Sequence, residues 1–304
     1  MQTVIVGAGA MGALFGYLLH RAGANVSLID RDPAVVKAIS GSGLRVEGIS
    51  GTHTVPVDIS AEPGPRSSPD LVLIFVKAHQ TEAAAATVKS LLGPRTVAVT
   101  LQSGIGNDEI LGGALGSERI VVGATSLGSS VLSPGRIMHT SWGDTTLAAK
   151  ERAGAGQAEA VASFLSRHGI KTDFAEDAKS LIWGRVLINV GLGPITALAR
   201  VRNGRLLEIE TAMALMRSAV AEAMEVMDKA GIELPYRDPL KRVEEMAHRT
   251  AENLSTMLQD LYRGRRTEVD YINGAVVRLA DELGLDAPVN RTLTMLVKTA
   301  EKAS

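Results

Sequence analysis

The sequence predicts an α/β protein: a doubly wound parallel sheet in the N-terminal half, then an all-helical C-terminal half. Three observations carry that expectation. Short apolar strands alternate with helical segments over the first 175 residues. One of these strands, Leu71-Val72-Leu73-Ile74-Phe75-Val76, is apolar without interruption, as a parallel strand covered on both faces must be. From about Glu176 onward, strand signals give way to helical periodicity.

Taken in order, Thr3-Val4-Ile5-Val6 reads as a buried strand, followed by a glycine-rich turn that opens a helix through about Ala22. Asn25-Val26-Ser27-Leu28-Ile29-Asp30 reads as a second strand, and 33–39 as a helix. Residues 44–59 alternate in the manner of a hairpin, with Gly51 near its turn. After the apolar strand comes a helix through Leu92, a strand at 97–101, a helix near 108–115 and a strand at 119–123. Ser133-Pro134-Gly135 and Trp142-Gly143-Asp144 punctuate a more antiparallel stretch, and Thr172-Asp173-Phe174 carries the last strand signal. Helices are expected over 206–230, 239–262, 268–283 and 288–302, with Pro235, Gly264 and Pro288 as breakers between them. The domain boundary falls near residue 175, giving domains 1–175 and 176–304.

Composition narrows the function classes. The chain has 304 residues, 45% hydrophobic and 21% charged, with a formal net charge of −1. Charges of both signs are interspersed, so no basic field points to nucleic acid or an anionic membrane. There is no cysteine, which excludes disulfides, cysteinyl zinc and a thiol nucleophile. The first twenty residues are apolar, but no Lys or Arg precedes the run and glycines interrupt it, so a cytoplasmic protein without a membrane span is the expectation. The six histidines lack metal-ligand spacing, and His139, in an alternating strand, reads as structural. Ser103 and Ser255 lack the His and Asp neighbours of a hydrolase. The Met-rich segment 213–227 has helical spacing and reads as core or dimer surface, which leaves a homodimer open.

Gly7-Ala8-Gly9-Ala10-Met11-Gly12 completes G-x-G-x-x-G between a strand and a helix. The first glycine permits the tight turn, the second lets backbone approach a pyrophosphate, and the third allows close helix–strand packing. The helix start then offers free N–H groups and partial positive charge to the phosphates. Such a loop is the mark of a Rossmann-type dinucleotide-binding domain. Asp30 ends the second strand, where a carboxylate grips a ribose 2′-hydroxyl, and Arg31 follows, where a cation meets a 2′-phosphate. The pair leaves two readings. An inward Asp30 favours NAD(H); an Asp30 turned outward as a helix N-cap leaves the choice to Arg31 and NADP(H).

Several stretches then coincide with one family. They are residues 4–12, Val76-Lys77-Ala78-His79-Gln80, Leu101-Gln102-Ser103-Gly104-Ile105-Gly106, residues 183–189, Pro194-Ile195-Thr196-Ala197, Arg202-Asn203-Gly204, residues 253–260 and residues 266–274. On these the chain resembles, from end to end, the ketopantoate reductase (2-dehydropantoate 2-reductase) family, with its helical C-terminal domain of the 6-phosphogluconate-dehydrogenase-like kind. The resemblance implies NADPH-dependent reduction of a 2-keto acid, as in pantothenate biosynthesis, in a cleft between two domains.

It also implies site residues. Gly7, Gly9, Ala10, Met11, Gly12, Asp30, Arg31, Lys77, Gln80, Ser103 and Glu268 match cofactor-binding positions. Ser103, Arg185, Asn189, Asn203, Asn253 and Thr256 match substrate-binding ones, and Arg185, Lys77 and Glu268 the catalytic ones. Asn253 and Thr256, three apart, are expected on one helical face. Four positions depart from the family pattern: Arg185 replaces its lysine, Ser103 replaces an Asn, Gly193 replaces an Asn before Pro194, and Thr256 mildly replaces a Ser. Arginine polarises a carbonyl and grips a carboxylate bidentately, yet it is a poor proton donor. The donor is then water or Lys77. Simpler roles stand beside these: a salt bridge for Arg185, helix-dipole compensation for Glu268, turn or solvent contacts for the asparagines. Another 2-keto or 3-hydroxy acid as substrate, or a dinucleotide-binding protein without catalysis, are the alternatives.

Overall fold

Strand β1 (Thr3–Val6) has a parallel partner on each side, and that placement organises the N-terminal unit. In the computed structural model, which describes residues 1–64 and 68–303, the chain runs from β1 through α1 (Ala10–Arg21) to β2 (Val26–Ile29) and α2 (Pro33–Ser42). It passes β3 (Leu44–Gly48), β4 (His53–Val55) and β5 (Asp58–Ser60), then crosses to the other side of β1 as β6 (Leu71–Ile74). Helix α3 (Thr81–Leu91), β7 (Val97–Thr100), α4 (Asn107–Leu115) and β8 (Ile120–Thr125) extend the sheet. The hairpin β9 (Gly128–Ser133) and β10 (Arg136–Ser141), then β11 (Thr145–Ala149), α5 (Ala155–Arg167) and β12 (Thr172–Phe174), complete the unit.

The main sheet has eight strands in the order β12-β11-β8-β7-β6-β1-β2-β5, all neighbours parallel except β11 with β8. Winding reverses at β1, the switch point where open α/β sheets bind ligands beyond their carboxyl ends. Register fixes what emerges there. Val6 lies level with Ile29 and Ile74, and Ile74 with Thr100, so Gly7, Asp30, Phe75 and Leu101 leave the sheet along one edge. Strands β1, β6 and β7 are buried along their whole length, as their mostly apolar sequences require, with Thr3 and Thr100 the buried polar residues among them.

The expected hairpin in 44–59 is present as antiparallel β3 and β4, with Leu44 opposite Val55 and Gly51 at φ +86° in the turn. β5 does not stay with it. It joins the main sheet beside β2, while β3 takes β10 as a parallel partner in a separate sheet ordered β4-β3-β10-β9. His139 of β10 is fully buried there, its Nδ1 2.5 Å from the Ser50 hydroxyl and its Nε2 3.1 Å from the Ser141 carbonyl.

The second unit runs from Lys179 and also includes Ser103–Ile105. Its central helix is α6 (Ala178–Ala199), followed by α7 (Arg205–Glu208), α8 (Glu210–Lys229), α9 (Pro239–Arg249), α10 (Thr256–Tyr262), α11 (Asn273–Leu283) and α12 (Pro288–Ala303). Helix α6 is long and apolar enough to cross a membrane by length and composition, and two-thirds of that stretch is buried in the unit. Pro194 inside α6 has no N–H for the Val190 carbonyl one turn earlier. The Asn273 side-chain amide donates to that carbonyl instead, at 3.3 Å, and to Asn290 Oδ1 at 2.9 Å. Met216 and Met227 of α8 are core residues, with Met213 and Met224 packed against them.

Three expected helices are shorter than their periodicity suggested. The 206–230 run breaks at Ile209, whose extended backbone (ψ 106°) separates α7 from α8. The 239–262 run breaks at 250–255, where the backbone N–H of Asn203 and of Gly204 donate to the carbonyls of Asn253 and Ala251. The 268–283 run begins only at Asn273; Val269–Tyr271 is a single 3-10 turn.

Candidate active site

At the switch-point edge, each glycine of the loop does a separable job. Gly7 has φ +97°, and a Cβ on it would stand 3.0 Å from the Phe75 and Val76 backbone. A Cβ on Gly12 would stand 1.8 Å from the Gly7 carbonyl oxygen, so α1 packs on β1 only without one. Gly9 differs: among the described residues nothing lies within 4 Å of its Cβ position. Packing does not require a glycine there; a ligand resting on the backbone does. Gly9 is also the N-cap of α1, whose first turn, from Ala10 and Met11, has no side-chain cap and no acidic residue. A diphosphate fits this cradle.

Asp30 and Arg31 resolve part of their ambiguity. Asp30 is not the N-cap of α2; Asp32 is, accepting from the Ala34 N–H at 2.9 Å. The Asp30 carboxylate instead accepts from the Ala8 N–H of the glycine loop at 2.6 Å and from Asp32 N–H at 2.9 Å. Arg31 reaches α3, donating to the Ala83 carbonyl and the Thr87 hydroxyl, both at 3.1 Å.

Beyond β6, half-buried Lys77 donates its backbone N–H to the Gln80 side chain at 3.2 Å, so that amide holds the loop shape. Gln102 braces the same edge, donating to the Val76 carbonyl at 3.0 Å and to Thr81 Oγ1 at 2.8 Å, with buried Asn107 2.7 Å from that hydroxyl.

In the helical unit, three sequence-distant segments converge on Arg185. Helix α6 carries it, half-buried, with Asn189 one turn on. The Ile105 N–H donates to the Tyr271 carbonyl at 2.9 Å and holds the 103–105 strip, from which the Ser103 hydroxyl accepts an Arg185 N–H at 3.1 Å. Glu301 accepts from the Thr267 N–H at 2.7 Å and its hydroxyl at 2.5 Å, locking the turn that keeps Glu268 buried. Burial lowers the Arg185 pKa, and the charge of Glu268 and then that of Tyr236 oppose the shift. A half-buried guanidinium under the charge of a carboxylate remains a cation.

Asn203 is buried, its Nδ2 donating to the Thr250 hydroxyl at 2.9 Å while its Oδ1 has no hydrogen-bond partner among the described residues. Its backbone pairs with Asn253, so these two asparagines are brought together. The shared helical face expected for Asn253 and Thr256 is absent. Asn253 lies in the turn before α10, Ser255 is the N-cap, and exposed Thr256 is the first helical residue. The Ser255 hydroxyl accepts from the Leu258 N–H, a capping bond that forces the chain to be extended just before it. Glu268 precedes a one-turn 3-10 segment rather than a helix, which removes dipole compensation as its role. A Cβ on Gly193 would lie 3.3 Å from Met257 Cε, the end of a flexible side chain, so packing alone does not require glycine there.

Residues 3–152 match the family described as ketopantoate reductase PanE/ApbA, and 177–301 match its C-terminal domain. A 2-dehydropantoate 2-reductase of Archaeoglobus fulgidus is 35% identical over 300 residues, 99% of this chain and 98% of that protein. The chain belongs to the ketopantoate reductase family. The Halobacterium salinarum 2-dehydropantoate 2-reductase is 33% identical, covering 99% of each chain. Among solved structures, a ketopantoate reductase of this family from Ralstonia eutropha JMP134 superposes with a TM-score of 0.90 at 30% identity, covering 100% of this chain and 99% of that one. A ternary structure of D-mandelate dehydrogenase with NADH and anilino(oxo)acetate superposes with a TM-score of 0.95 at 28% identity, with the same coverage.

Two polar residues of this unit escaped the sequence reading as functional or supporting groups. Asn273 was legible only as part of a stretch matching the family; its service to the Val190 carbonyl follows from Pro194, 79 positions away in sequence. Tyr236 carries no motif. Its one local signal is Pro235-Tyr236 before a capped helix.

Proposed function

We propose that this ketopantoate reductase family member reduces 2-dehydropantoate to pantoate with NADPH, NADH serving as the alternative donor. Residues 1–175 form the dinucleotide-binding domain and 176–304 the substrate domain, which is also the candidate surface for a homodimer; a cytoplasmic setting goes with this reading. The observation that carries it is the cluster of Arg185, Ser103 and Glu268, a half-buried cation bonded to a hydroxyl and under the charge of a buried carboxylate, in a chain of this family.

Gly7, Gly9, Ala10, Met11 and Gly12 hold the diphosphate through backbone; Asp30, turned inward, takes the ribose 2′-hydroxyl of NADH, and Arg31 meets the 2′-phosphate of NADP(H) by leaving its bonds to Ala83 and Thr87. Lys77 and Gln80 of the first unit, and Ser103 and Glu268 of the second, are the further residues we assign to dinucleotide binding. The bound dinucleotide supplies the hydride. Arg185 polarises the keto oxygen and stabilises the negative charge developing on it. Glu268 keeps the guanidinium charged and oriented. Ser103, Asn189, Asn253 and Thr256 donate hydrogen bonds to the substrate carboxylate and hydroxyls, Asn203 offers its Oδ1 as an acceptor, and Lys77 serves as a second catalytic cation.

Saturable oxidation of NADPH, and more weakly of NADH, on addition of 2-dehydropantoate tests the reading. No turnover with either cofactor would remove that substrate. A second reading keeps the chemistry and changes the acid to an aryl-substituted 2-keto acid. The joint departure of Arg185, Ser103 and Gly193 from the family pattern and the likeness to D-mandelate dehydrogenase favour it. Phenylglyoxylate assayed beside 2-dehydropantoate separates the two by kcat/KM.

A further inference from the structure

Arginine leaves a gap in the chemistry, because a guanidinium that stays protonated cannot deliver the proton an alkoxide needs. The proton must come from water or from another acid of the site. Tyr236 lies on the loop entering α9, and Gly184 is the residue just before Arg185 on α6. A Cβ on Gly184 would stand 2.8 Å from Pro235 Cγ and Cδ and 3.2 Å from Tyr236 Cε2. Glycine at 184 thus lets the 235–236 loop lie directly on the helix turn that carries Arg185. The Arg242 guanidinium sits 5.6 Å from the Tyr236 ring centroid.

Resting on the reductase reading above, we propose that the Tyr236 phenol is the proton donor to the keto oxygen, with Arg185 and Arg242 stabilising the phenolate it leaves. As hydride from the reduced dinucleotide reaches C2, the carbonyl π pair moves onto oxygen. The Tyr236 O–H bond breaks, its proton joins that oxygen to complete the 2-hydroxy acid, and the phenolate regains a proton from water. Atoms and charge balance with the hydride donor already named. The charged groups acting on the phenol are Arg242 of α9 and Arg185 of α6, the latter faced in turn by Glu268. Burial pushes the phenol pKa up while both arginines pull it down, so the hydroxyl carries its proton at neutral pH.

The test uses the full chain, with Tyr236→Phe in two backgrounds. With arginine at 185, Tyr236→Phe is expected to lower kcat on the order of 10²-fold, the size of one general acid, with KM within about threefold. In an Arg185→Lys background the ammonium supplies its own proton, and the same substitution is expected to cost less than about threefold. Unchanged kcat in the first background, or an equal loss in both, overturns the proposal. A readout independent of turnover comes from ultraviolet titration, because the chain has only four tyrosines. The wild-type minus Tyr236→Phe difference isolates this phenol, and Arg185→Met should move its titration to higher pH. An unmoved titration also overturns the pairing. Wild-type protein that oxidises neither NADPH nor NADH with any keto acid would instead defeat the reductase reading, so the two failures are distinguishable.

Discussion

The glycine loop and the Arg185 cluster are built on opposite principles. The loop is made of backbone: a left-handed Gly7, an unobstructed Gly9, a Gly12 pressed on the Gly7 carbonyl, and an uncapped helix start. All of it lies within six consecutive residues. The cluster is made of side chains delivered by segments 103–105, 184–189, 235–236 and 267–271, and each segment needs its own support. A backbone site tolerates few side chains but is legible in one dimension. A side-chain site tolerates replacement, which is how arginine comes to stand at a lysine position, and its legibility depends on the fold.

Substitutions should separate the two. Gly12→Ala drives a methyl into the Gly7 carbonyl and should have the largest effect. Nucleotide binding should vanish, and unfolding free energy should fall by about 3 kcal/mol or more, since backbone cannot yield as a side chain can. Calorimetry and thermal melts check both; an unaltered melt would mean the close contact is not obligatory. Arg185→Met should lower kcat about 10²–10³-fold while leaving Tm and nucleotide affinity near wild type, because it removes a charge rather than a packing element. A large Tm loss would make Arg185 a structural salt bridge instead. Gly9→Val should weaken dinucleotide binding about tenfold at unchanged Tm, since only a ligand meets the new side chain. If binding is unaffected, the cradle lies elsewhere.

The smallest effect lies outside both regions. Burial lowers the pKa of His139 below its usual value near 6.5, partly opposed by its bond to the Ser141 carbonyl. The unfolded chain therefore binds this proton first as pH falls, so the stability His139 contributes is present above about pH 6.5 and lost toward the lowered native value. Tm should drop modestly between pH 7 and pH 5, and less in His139→Gln. Identical slopes would show that other groups dominate.

Much of the fold could be read from local pattern because its parallel strands are mostly apolar and its glycines sit at fixed offsets. The helical half was read less well. Periodicity reports a face to be buried, not whether the helix continues, so the breaks at Ile209, at 250–255 and before Asn273 were hidden. The turn carrying Asn253 is held by hydrogen bonds from Asn203 and Gly204, about fifty residues earlier, which no window on 239–262 contains.

By itself the sequence determined the doubly wound sheet, the glycine-rich turn, the family and the identity of Arg185, because each rests on residue type and short spacing. Tertiary structure alone decided that Asp30 turns to the Ala8 N–H while Asp32 caps α2, that the Ser103 hydroxyl accepts from Arg185, and that the charge of Glu268 acts on that guanidinium. It alone laid Tyr236 against Gly184 as well. Those are distances between segments far apart along the chain, set by packing that no local pattern encodes.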